Sequence, residues 1–191
     1  MPLSILVLYG SYREGRLGIR LADYIVKGLG EAGHDAELVD AKAVGLPMLD
    51  KRFSDYAPGE APPEMAALAQ KLSAADGFIF VAGEYNRGVQ PGLKNLVDHY
   101  LVEYARRPAA IASYSAGRLA GTHSNAAWHV TLSGMGMAVI PNTLTVGQIG
   151  QTLDENAEPI GESGTVLARG LPRFIDELVW WAEGTKAARG Q

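Results

Sequence analysis

The chain has 191 residues, of which 47% are hydrophobic and 20% charged, with a formal net charge of −4 and no cysteine. The length predicts a single domain over residues 1–191 with room for a substantial core. The acidic balance argues against sequence-independent nucleic-acid binding, which needs a basic face against the phosphates; the lack of thiols excludes disulfides, thiolate metal sites and cysteine nucleophiles.

The start, Met1-Pro2-Leu3-Ser4, carries no basic leader, and the apolar run Leu3 to Tyr9 is too short to span a membrane, so a cytoplasmic protein without a membrane span is expected. That run reads as a strand buried on both faces. The loop Gly10 to Gly18 interrupts it, and from Ile19 to Leu29 apolar residues recur at helical spacing, with Gly30 and Gly33 as the stop. Asp35 to Asp40 reads as a second strand, followed by a long proline- and glycine-bearing loop from Ala41 to Pro63. Glu64 to Ala75 returns to helix, and Phe78 to Ala82 is a third buried strand. Pro91 fits the first turn of the next helix, whose apolar spacing continues through Tyr104. Pro108 to Tyr114 is a fourth strand, Leu119 to Gly134 is helical by pattern, and Met137 to Ile140 is a fifth strand closed by Pro141. Thr143 to Glu158 reads as a polar loop before a final helix from Glu162 to Ala182.

Five strands alternating with helices predict an α/β fold, a doubly wound five-stranded parallel sheet with helices on both faces. The common order for five strands is 2-1-3-4-5, which puts the switch point between strands 1 and 3. The loops after those strands, Gly10 to Gly18 and Gly83 to Asn95, then flank one crevice.

The first loop offers backbone N–H groups at a helix N-terminus, the Ser11 hydroxyl and the guanidinium groups of Arg13 and Arg16, a donor set for a phosphate. Its alternative is an ordinary glycine turn with two solvated arginines. Gly-Lys-[Ser/Thr] is absent, and Gly10, Gly15 and Gly18 do not form the dinucleotide fingerprint; Asp40 stands where a dinucleotide fold places its ribose acid, but a single aspartate there reads more readily as a solvated strand end. In the second loop, Tyr85 and Asn86 can present a flat face and main-chain N–H groups to a planar ring beside Glu84 and Arg87, and Gly88 permits close approach. Ser113-Tyr114-Ser115-Ala116-Gly117 forms the other rim. A phosphate at strand 1 and a ring across strands 3 and 4 match FMN at the switch point of a flavodoxin-type sheet.

Gly10-Ser11-x-Arg13, Glu84-Tyr85-Asn86 with Leu93-Lys94-Asn95 downstream, and the small-residue loop after strand 4 resemble the NADPH-dependent FMN reductase family, which has a flavodoxin-like fold. The resemblance implies an FMN phosphate on Ser11, Arg13, Arg16, Leu17 and Gly18, the isoalloxazine against Glu84, Tyr85, Asn86 and Arg87, and Ser115, Ala116 and Gly117 near its other edge. It further implies that NADPH (or NADH) reduces the flavin at N5, that a quinone, free flavin, azo compound or metal oxyanion then takes the electrons, and that the protein is a homodimer or dimer of dimers. Gly83, Gly88 and the position of Pro91 depart from the family pattern, and His123 and His129 stand where members often carry arginine. With flavin-centred chemistry no catalytic acid or base is required, and no histidine spacing suits a metal. The rival expectations are a flavodoxin-like electron carrier that does not turn over NADPH and an NAD-dependent dehydrogenase using Asp40.

Overall fold

A computed structural model describes residues 1–190. Within them the chain runs β1 (Ser4–Tyr9), α1 (Gly18–Glu31), β2 (Asp35–Asp40), α2 (Ala41–Val44), a short 3₁₀ turn, α3 (Pro63–Ala74), β3 (Gly77–Gly83), α4 (Pro91–Asp98), β4 (Pro108–Tyr114), α5 (Thr122–Gly134), β5 (Ala138–Val139), β6 (Leu144–Val146), α6 (Ile149–Thr152) and α7 (Gly161–Arg189). The strands pair in parallel in the order β2-β1-β3-β4-β5, as expected, with β6 an addition on β4.

The sheet core follows from the two-residue period of a strand. Ile5, Val7 and Tyr9 of β1 face one side and pack with α1 and α7, through Leu21, Ile25, Leu171 and Leu178. Leu6 and Leu8 face the other side and pack with α3, α4 and α5, through Leu72, Leu96 and Trp128. Every residue of β3 and β4 is buried, which is why both read as continuous apolar runs rather than alternating ones. Burial of each such aliphatic or aromatic side chain contributes roughly 1.5–3 kcal/mol.

Two departures from the sequence expectation have physical causes. The fourth helix stops at Asp98 rather than continuing to Tyr104. The carbonyl of His99 accepts a bond from Phe53 N–H (2.9 Å), so the acceptor that a further helical turn would use is taken by a neighbouring segment. Tyr100 and Tyr104 are nevertheless core residues, 2% and 0% exposed, so burial alone sustained the helical spacing. The fifth strand is split. β5 pairs Pro108 and Ala109, whereas β6, which falls in the segment expected to be a polar loop, pairs Ala112 to Tyr114. Pro141 lies between them, where a residue without an N–H cannot continue a ladder.

Reversal of strand order between β1 and β3 opens the crevice at the carboxyl edge. The loops after β1, β3 and β4 converge there, with α2 and α6 at its two flanks. No helix among the described residues is long and apolar enough to cross a membrane.

Candidate active site at the carboxyl edge of the sheet

The loop after β1 passes so close to α4 that a Cβ on Gly10 would lie 2.1 Å from the Leu93 backbone nitrogen, and one on Gly92 would lie 2.3 Å from the Gly10 carbonyl. Glycine is needed at both positions because the two backbones touch. Gly18, at the start of α1, is fixed in the same way: a Cβ there would fall 2.1 Å from the Tyr114 ring. Tyr114 is thus a buried floor rather than an exposed rim. Its hydroxyl accepts from Gln90 Nε2 (2.7 Å) and lies 3.5 Å from the Tyr9 hydroxyl, and burial pushes its phenol well above the ordinary tyrosine range.

Ser11 is the junction of the two main loops. Its Oγ is 3.0 Å from the Tyr85 hydroxyl and accepts from Arg13 N–H at 3.4 Å, while its carbonyl accepts from Arg16 Nη1 at 3.0 Å. Arg16 continues as a bidentate pair to Asp40, 2.7 and 2.5 Å, with its guanidinium 5.4 Å over the Tyr9 ring. Asp40 in turn accepts from Lys42 N–H at 3.1 Å as the N-cap of α2. Arg13 is exposed and carries no such tie. Asp40 is therefore neither a solvated strand end nor a free acid for a ribose.

The loop after β3 is a tight turn. Tyr85 and Gly88 exchange both backbone hydrogen bonds (3.1 and 2.9 Å), and Asn86 and Arg87 between them have φ of 49° and 62°. Positive φ at both central positions is the type I′ geometry, which glycine and asparagine enter easily and arginine does not. Both strained residues are exposed, and their N–H groups lie outside the Tyr85–Gly88 pair. The Glu84 carboxylate turns away from this turn and caps α5, accepting from His123 N–H (2.9 Å) and Ser124 N–H (3.4 Å), with His123 Nδ1 at 3.3 Å. A carboxylate there compensates a helix start whose own N-cap, Gly121, has no side chain to offer.

Two cavities adjoin at Arg13 and Tyr85. The smaller, about 240 Å³, is walled by Ser11, Arg16 and Leu17 below the first turn of α1, by Glu84 and Tyr85, and by Tyr114, Ser115 and Ala116. The larger, about 480 Å³, lies between the β1 loop and the segment after α2, with Gly10, Tyr12, Leu46, Met48 and Asn95 on its wall. Of the residues expected at the site, Gly18, Asn86, Arg87, Ser113 and Gly117 line neither cavity. Ser113 is buried and donates to the Ala120 carbonyl at 2.8 Å, and Gly117 serves through its carbonyl, which accepts from Ser115 Oγ and Gln148 N–H (both 2.9 Å). The sequence reading missed the Leu46 to Met48 wall, because nothing local distinguishes an apolar pair in a long loop from core. It also missed Gln90, whose amide is fully buried beneath Tyr114.

The chemistry of the smaller cavity fits an FMN phosphate. The first turn of α1 has no side-chain cap and no acidic residue, so its N–H groups and dipole are unopposed, and Arg13 stands beside them. Comparison with known proteins agrees. The family model for NADPH-dependent FMN reductases matches residues 3–151, and the chain belongs to that family. An NAD(P)H-dependent FMN reductase of Schizosaccharomyces pombe is 34% identical over 120 residues, 58% of this chain and 57% of the relative. A quinone reductase of Pseudomonas putida is 28% identical over 193 residues, 96% and 97% of the two chains. Among solved structures, FerB, a flavoenzyme NAD(P)H:(acceptor) oxidoreductase of Paracoccus denitrificans, superposes with a TM-score of 0.75 at 21% identity over 96% of this chain and 98% of its own, a likeness of fold.

Proposed function

We propose that this protein is an FMN-dependent NAD(P)H oxidoreductase that passes electrons from NADPH to a small acceptor of the quinone type by a ping-pong sequence. The observation that carries the reading is the pair of adjoining cavities at the switch point, one furnished for a phosphate and the other predominantly apolar, meeting at Arg13 and Tyr85. Family membership supports it, as does the activity of the Pseudomonas putida relative. When bound, FMN supplies two-electron transfer, accepting hydride from the nicotinamide and delivering electrons to the acceptor.

The residues of the chain then bind, orient and exclude water. The N-terminus of α1, Ser11 and Arg13 would hold the phosphate. The Asn86–Arg87 turn, fixed beside Tyr85 at the mouth of the two cavities, would offer main-chain N–H donors that need no reorganisation. Tyr12, Leu46 and Met48 give the second cavity a flat, apolar wall suited to nicotinamide and then to a planar acceptor in turn. The dehydrogenase alternative loses its acid, since Asp40 is committed to Arg16. Exposed Leu101, Val102 and Val130 support a homodimer, or a dimer of dimers, and a monomeric mass in sedimentation at micromolar concentration would refute that assembly.

The deciding measurement is an absorption spectrum of the purified protein reconstituted with FMN, followed by anaerobic NADPH. Bleaching of bound flavin, reversed by a quinone, is expected. A yellow protein that NADPH leaves unbleached is an electron carrier instead, and a protein that retains no FMN is not a flavoprotein.

A further inference from the structure

We infer that Asp40, an acid within the phosphate loop's own neighbourhood, is a positioning residue for the phosphate site, acting through Arg16, and that Arg16 serves as a clamp rather than as the phosphate's main cation. This rests on the proposed FMN site. Resemblance assigns Arg16 to the phosphate directly, but the structure shows most of its donors in use. Nη1 serves both the Ser11 carbonyl and Asp40 Oδ1, and Nη2 serves Asp40 Oδ2. The side chains are 22% and 11% exposed, so the pair is only partly screened, and its net charge is zero. An anion nearby therefore meets a dipole rather than a full positive charge, and the hydrogen bond to Asp40 holds the guanidinium further above its ordinary range.

What the clamp does is geometric. Arg16 reaches back five residues to hold the Ser11 carbonyl, so the Ser11-to-Arg16 segment is closed on itself and anchored to the end of β2. With that peptide fixed, Ser11 Oγ receives Arg13 N–H and meets Tyr85. The remaining N–H groups before α1, and Arg13 itself, are left to the cavity. Asp40 is itself held by the backbone of α2 through Lys42 N–H, so the anchor does not depend on a mobile side chain.

The two possible roles of Asp40 predict opposite signs. If the carboxylate acted on the phosphate through space, its removal would tighten FMN binding, because a negative charge near an anion is repulsive. As a positioning residue, its removal weakens FMN binding by about tenfold, the loss of one charge-assisted hydrogen-bonded pair. Riboflavin, which lacks the phosphate, isolates the loop from the rest of the site. The experiment titrates FMN and riboflavin into flavin-free wild type, Asp40→Ala, Arg16→Ala and the double variant, following flavin fluorescence, with thermal melts of each. The expected result is a similar rise in the FMN dissociation constant for both single variants, no further rise in the double, and an unchanged riboflavin constant. Asp40→Asn, which keeps the cap on α2, shifts FMN in the same direction and guards against a variant that fails to fold. Tighter FMN binding without Asp40, equal weakening of FMN and riboflavin, or an Arg16 effect that adds to that of Asp40 each overturns the inference while leaving the flavoprotein reading intact. Wild type that binds neither flavin overturns both.

Discussion

The two edges of the sheet are built from the same residue types to opposite ends. At the amino edge, charge is closed off. Asp76, its side chain 6% exposed, accepts from Ser4 N–H (3.0 Å) and Lys186 (2.9 Å) and lies 3.7 Å from Arg189. Arg107 donates to the carbonyls of Ala75 (2.7 Å), Ser73 and Ala105, and its burial lowers its pKa. At the carboxyl edge, Arg16, Arg20 and Glu84 are tied in this manner, but other polar groups are not. Arg13 and Arg87 stay exposed, the non-glycine residues Asn86, Arg87, Ala120 and Gln148 hold positive φ in its loops, and the first turn of α1 is uncapped. An edge that satisfies its own polar groups stabilises the fold, and an edge that leaves them unmet is prepared for a ligand.

The largest test of that contrast is Asp76→Ala. It orphans the part-buried Ser4 N–H and removes the buried acid facing Lys186, for an expected loss of about 3 kcal/mol and a melting temperature lower by roughly 10 °C. FMN affinity at moderate temperature should not change. A parallel loss of flavin affinity would show that the two edges are coupled and would break the comparison.

Arg13→Ala is the converse. It should weaken FMN binding by more than tenfold, about 1.5–3 kcal/mol for a charged hydrogen-bonded contact, while the flavin-free protein melts at the wild-type temperature. If the flavin-free variant were clearly destabilised, Arg13 would be a structural residue like Arg107, and the carboxyl edge would be less open than its geometry shows.

How much of this could be read in the sequence depended on the range of the interaction. β2 and β4 fall on the expected residues, Asp35–Asp40 and Pro108–Tyr114, because an apolar run bounded by proline, glycine or acid is a local signal. The phosphate loop and the Tyr85 turn were legible as unusual loops, and the strand order brought them together. The Arg16–Asp40 clamp was not, because its partners are 24 residues apart and each alone has an ordinary reading. Glu84 was expected at the ring, yet the carboxylate caps a helix that begins nearly 40 positions later, after a glycine that cannot cap itself. In both cases a charged side chain answers a backbone need that exists only once the elements are packed. The turn itself was hidden for a different reason. Type I′ turns announce themselves through Asn-Gly or Asp-Gly, and here the second central position is Arg87.

That residue supplies the smallest and sharpest test. A non-glycine residue in the left-handed region stores of order 1 kcal/mol, and Arg87 sits there with φ of 62° while exposed and unpaired at the carboxyl edge. Nothing in its packing holds it; the Tyr85–Gly88 backbone pair does. Arg87→Gly should therefore stabilise the flavin-free protein by about 1 kcal/mol, since glycine enters this region freely, less a few tenths for the greater freedom of the unfolded chain. The melting temperature should rise by roughly 2–3 °C. A rise would show that the turn stores backbone strain which the Tyr85–Gly88 pair holds in place. A fall would mean that Arg87 contributes an interaction outweighing its strain, and the carboxyl edge would then be as self-satisfied as its opposite.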